Sequence, residues 1–137
     1  MMTKLKQFFN PIRPNNNSFD SLIGAGTFVS GNISVKGTLR VFGCVEGEFI
    51  KSNEFCNDDT LIIAEGSTIK VESVEVPHII VEGILTVTDL KACHSLKISK
   101  TGSINAKSVQ VNELEIEKGA IISCENFKNG FKWLPIS

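Results

Sequence analysis

The residues with chemical reach in this chain are few: two histidines, His78 and His94, and four cysteines, Cys44, Cys56, Cys93 and Cys124. The cysteines are widely and unevenly spaced, and no C-x-x-C pair occurs. Neither a zinc ribbon nor a thioredoxin-like redox pair is indicated. The thiols read instead as reduced filler in or near a wall of packed side chains, with Cys56 the most exposed. Glu46, Glu48, Glu72, Glu75, Glu113, Glu115 and Glu117 are candidates for acid–base work only if a fold pairs them, and no spacing among them singles out such a pair. No glycine-rich loop is followed by Lys-Ser or Lys-Thr, which disfavours a phosphate cradle and assembly driven by ATP or GTP. The formal net charge is −1, from 14 basic and 15 acidic residues. Such a chain has no overall field to draw nucleic acid. No cofactor, metal site or catalytic residue is expected.

The elements that would position these groups follow from hydrophobic spacing. From Thr27 to Phe49 the odd positions are almost all aliphatic, aromatic or glycine, and the even positions are mostly polar. Alternation of period two describes a half-buried β-strand, since a helix would mix the two sets. The run is longer than a strand of about 5–6 residues. Gly31, Gly37 and Gly43, evenly spaced along it, permit bends that keep the phase. Phe28, Phe42 and Ile50 break the pattern at even positions. They are expected to face outward as a lateral patch for bundling or docking.

The pattern recurs at a longer period. Apolar doublets such as Ile33/Val35, Leu39/Val41, Ile69/Val71 and Val74/Val76 continue to Leu114/Ile116, and every third one marks the same face. Leu61, Ile79, Leu96 and Leu114 recur at a near-constant interval of about 18 residues. A coil of that length with three faces accounts for the pattern, and about five to six such coils fit the chain. The extra residues between Leu39 and Leu61 are assigned to a polar loop, Ser52–Asp59.

The chain divides into three parts. Residues 1–20 read as a flexible tail, 21–125 as the β-solenoid and 126–137 as a C-terminal tail. No secretory signal and no segment near the ~20 apolar residues of a transmembrane helix is visible, so a cytoplasmic setting is expected. Met1, Met2, Leu5, Phe8 and Phe9 interleave with Lys4 and Lys6. That mixture suits a weak membrane-targeting peptide, made firm by avidity if many copies are displayed.

A solenoid leaves an open core and unpaired backbone groups at each end, and needs either polar caps or pairing. Neither flank reads as a capping helix. Leu22, Ile23, Ile121, Phe127, Phe131 and Trp133 are therefore the expected polymerisation interface, the chain being its own partner.

The run from Gly26 to Ile33 (GTFVSGNI), followed by Gly37 to Gly47 (GTLRVFGCVEG), resembles the opening of a bactofilin domain. The resemblance covers about Leu22 to Cys124, and the insertion at Ser52–Asp59 departs from the family's usual pattern. It implies a right-handed parallel β-helix of triangular section, all-β in class. It also implies filaments without polarity that form without nucleotide, often brought to the inner membrane by an N-terminal peptide, where they organise cell-wall enzymes and cell shape. The alternative is a left-handed β-helix hexapeptide-type acyltransferase with a catalytic histidine. His78 and His94 are separated by nearly one coil, close enough to meet. That family buries one aliphatic residue per six, whereas each six here carries a doublet, so both histidines are read as surface residues.

Overall fold

Inward aliphatic doublets can be buried only if successive turns of chain stack, and that is the arrangement found. The structure, a computed structural model, describes residues 21–52 and 58–129. Its strands run in order β1 (Ser21–Ile23), β2 (Phe28–Ser30), β3 (Ile33–Val35), β4 (Thr38–Val41), β5 (Cys44–Ser52), β6 (Thr60–Ile63), β7 (Thr68–Glu75), β8 (His78–Val81), β9 (Ile84–Ile98), β10 (Ser103–Ile116) and β11 (Ile121–Asn129). Among the described residues every strand pairing is parallel and no helix occurs.

The pairings resolve into three faces and six stacked turns. The first face is β1, β4, β6, β8 and the last stretches of β9 and β10. The second begins with β2 and continues through the first halves of β5, β7, β9, β10 and β11. The third begins with β3 and uses the later residues of the same long strands. Leu61, Ile79, Leu96 and Leu114 are direct register partners, one above the next. Leu61, Ile79 and Leu96 are fully buried, as are Ile63, Ile69, Leu85, Ile98 and Ile104 in neighbouring columns. Each such side chain contributes about 1.5–3 kcal/mol of burial, so the stack holds itself together turn by turn.

The corner between the second and third faces corrects one expectation. Inward positions there step by three rather than two, from Val71 to Val74, Val87 to Leu90 and Ala106 to Val109. In β5 the same step runs from Gly47 to Ile50. Ile50 is therefore fully buried and is no part of a lateral patch, while Phe49 is half-buried. Strict alternation read through the corner gives Ile50 the wrong side; the longer step inverts it.

Two glycines show what the corners demand. Gly37 takes φ 79°, the left-handed region that only glycine enters freely. At Gly83 a Cβ would stand 2.4 Å from the Ala64 carbonyl oxygen and 2.6 Å from that of Ser67, because successive corners press together.

The insertion makes one turn longer. Thr38 pairs with Thr60, a wider interval than separates Thr60 from His78 or His78 from Ser95 on the same column. Residues 53–57, including Cys56, lie outside the described residues. The two ends of the excursion are tied. Asp59, which is buried, accepts a hydrogen bond from the Gly37 N–H at 2.8 Å and another from the Ser52 hydroxyl. At the other end of the solenoid β11 runs on to Asn129, beyond the expected boundary at 125, and stays in register with Ser108–Val111 of β10.

Candidate polymerisation surface

A stack of six turns has two ends, and the ends hold most of the exposed apolar side chains. The large hydrophobic residues with substantial exposure among those described are Leu22, Phe28, Phe42, Ile84, Ile116, Ile121 and Phe127. Five of the seven lie on the first or last turn.

At the N-terminal end Ile23, Val29 and Ile33 sit over the buried Val41, Val45 and Ile50. They are only half-buried because no turn lies above them among the described residues. At the C-terminal end Ile116 lies under Ile98 and Phe127 under Val109. Both upper residues are buried, while Ile116 is 44% and Phe127 42% exposed. Leu114, Ile122 and Cys124 complete that apolar surface, each half-buried. Among the described residues the terminal strands β1, β2, β3 and β11 pair on one side only, so half of their ladder groups have no described partner along the axis. Each end is therefore an apolar floor ringed by backbone donors and acceptors.

The interface residues expected from sequence divide by column. Ile23 and Phe127 belong to the open core. Leu22 and Ile121 lie on outward columns, over Arg40 and under Ser103, and form the rim. Phe131 and Trp133 lie outside the described residues, as do Met1, Met2, Lys4, Leu5, Lys6, Phe8 and Phe9. Ile116 is not among the expected residues. The signal for it is the doublet Leu114/Ile116, the last of the apolar series and so the mark of the last core layer.

Phe28 is 60% exposed on the rim above Cys44, and Phe42, at a corner of the second turn, is exposed with the Arg40 guanidinium 5.4 Å over its ring. Half-buried Ile62 and Ile80 continue the outward column that begins with Leu22 and Arg40, then gives way to Lys97 and Glu115. Lys97 reaches Glu115 and Glu117 at 4.0 and 3.9 Å. The Glu75 carboxylate lies 3.9 Å from the Lys91 ammonium. Glu46, Glu48, Glu72 and Glu113 are exposed.

The two histidines do meet. Their rings stack at 4.9 Å between centroids, at the corner between the third and first faces. His78 Nδ1 lies 2.9 Å from the Ser95 hydroxyl, and its Nε2 is 3.7 Å from the Asp58 carboxylate. Serine, histidine and aspartate are thus neighbours, yet the Asp58 side chain is fully exposed and its contact with His78 is beyond hydrogen-bond length. Both rings are half-buried rather than on the open surface. Of the described thiols, Cys44 is exposed, Cys93 buried and Cys124 intermediate. Among the described residues no helix is long and apolar enough to cross a membrane.

No match is found among curated proteins or among solved structures. The family model for bactofilin, described as polymer-forming cytoskeletal, matches residues 21–126, which is the solenoid almost end to end. With six parallel turns and this match over most of its length, the chain belongs to the bactofilin family of polymer-forming cytoskeletal proteins.

Proposed function

We propose that this chain joins end to end, without nucleotide, into filaments that organise cell-wall or membrane-associated machinery and so influence cell shape. The observation that carries the reading is the concentration of exposed apolar side chains on the first and last described turns, over core columns that a second copy would extend. Burial of such a floor, together with pairing of the terminal ladders, favours association through the ends rather than the sides. Ile23, Phe127 and Ile116 form the contact floor, and Leu22, Phe28 and Ile121 its rim.

The test is negative-stain electron microscopy and sedimentation of the purified protein without nucleotide. Long assemblies are expected, and Phe127→Arg is expected to abolish them by placing a charge on the floor. A protein that stays monomeric at every concentration would sink the reading. The N-terminal segment with Lys4, Lys6, Phe8 and Phe9 is assigned to the cytoplasmic face of the inner membrane. Co-sedimentation with anionic vesicles, lost in a Lys4→Glu, Lys6→Glu variant, checks that assignment.

A further inference from the structure

One outward line of side chains differs from the rest. On the second face Phe28, Cys44, Thr68, Ile84, Ser103 and Ile121 are register partners, one per turn, on the side of the sheet away from the core. Phe28 and Ile121 are each 60% exposed and Ile84 49%, so three of the seven exposed large apolar residues stand in this single line. Cys44 and Thr68 between them are exposed as well. No residue in the line is charged. Among the described residues each other outward line on the three faces holds at least one charged residue, and the least charged of them still hold Glu113 and Asp89. Charge is ordinary on the outer face of a strand, and its absence from one whole line, with large apolar side chains in its place, is the composition of an interface core.

The dimensions of the strip decide what can cover it. Six rungs spaced at about 4.8 Å span about 24 Å. A strip of that length and one side chain wide falls well short of the roughly 800 Å² per partner that holds two free molecules together. In an end-to-end filament every subunit repeats the strip, and Phe28 and Ile121 carry it to the rims of the first and last described turns. Many weak contacts then act as one. The strip is also complementary to itself. A contact of the same patch from both sides buries no like charges, and the adjacent Glu46 and Lys70 stand at its margin in water.

We propose that this strip is a lateral contact between two filaments, each covering the strip of the other, and that lateral assembly stops at two because only one of the three faces carries such a strip. The proposal rests on the filament reading, since two single copies have too little area to associate through it.

The test is the width of assemblies of the full chain in negative stain, with the Tm of each dispersed variant compared with that of the parent. The parent is expected to form doublets of uniform width. Ile84→Arg and Thr68→Arg each place a charge in the middle of the strip at an exposed position, where the fold tolerates it. Both are expected to give single filaments of half the width and unchanged length. Asp89→Arg, on the third face, is expected to keep the doublets. Single-width filaments from the parent would overturn the proposal and leave the filament reading standing. So would bundles of three or more, doublets that persist in both strip variants, or doublets lost equally in Asp89→Arg. Parent filaments that stay single but pellet with phosphatidylcholine vesicles, and cease to do so as Ile84→Arg, would give the strip to lipid instead. A parent that forms no filament at all would remove the filament reading and, with it, the avidity that pairing requires.

Discussion

The carboxylate of Asp59 holds the backbone N–H of Gly37, from the turn before, at 2.8 Å, and its other oxygen takes the hydroxyl of Ser52. One buried side chain thus joins the start of the second turn to both ends of the inserted loop. Asp59→Ala would leave a part-buried donor and hydroxyl without their acceptor. A loss of about 1–3 kcal/mol is expected, read as a lower urea midpoint at an unchanged slope.

Gly83→Ala tests how tightly the corners stack. The added methyl meets two carbonyl oxygens well inside contact distance, and these belong to backbone that cannot swing aside. A destabilisation of about 1–3 kcal/mol or more is expected. Thermal unfolding of dispersed protein reads it, and a Tm equal to that of the parent would show that the corners have room to yield.

Ile50 and Phe28 part company in this structure, and their substitutions should do the same. Ile50→Ala empties a fully buried site and is expected to cost about 2–5 kcal/mol. Phe28→Ala removes a side chain that is 60% exposed and is expected to change the stability of the dispersed chain by about 0.5 kcal/mol or less. Equilibrium unfolding of both variants decides which residue belongs to the core.

Charge placed on an end differs from charge placed on a side. Ile84 is 49% exposed in the middle of the outward column that runs from Phe28 to Ile121. Ile84→Arg is expected to leave filament length unchanged by electron microscopy, whereas Ile116→Arg shortens or abolishes filaments. Equal loss from both would point to lateral rather than axial association.

The stacked histidines make a local contribution. His94→Ala removes the ring that lies 4.9 Å from His78 and is expected to cost about 0.5–1.5 kcal/mol while filaments still form. Loss of assembly with intact folding would give the pair a role in the contact that its position at a side corner does not suggest.

Much of this is legible in the chain. The coil of about 18 residues, the three faces and the column of Leu61, Ile79, Leu96 and Leu114 are readable because a parallel stack repeats the same environment at each turn. The last core layer is also readable, since Leu114/Ile116 closes the doublet series. The side that Ile50 takes is not, because it depends on whether a corner steps by two or by three, and both leave similar residue types behind. The stacking of His78 on His94 shows in the sequence only as a spacing close to one coil.

By itself the sequence determined that the chain would wind, how long a turn is and which residues line most of the core. These are set by side-chain polarity at fixed intervals, a local property repeated many times. Only the tertiary structure decided the register: that Asp59 closes the base of the loop, that Gly83 lies against Ala64 and Ser67, that β11 extends to Asn129, and that Ile116 is partly exposed on the last described turn. Those facts depend on which turn lies above which. Residues a full coil apart, such as Phe28 and Cys44 or Cys44 and Thr68, become neighbours only after every corner between them has taken its particular length.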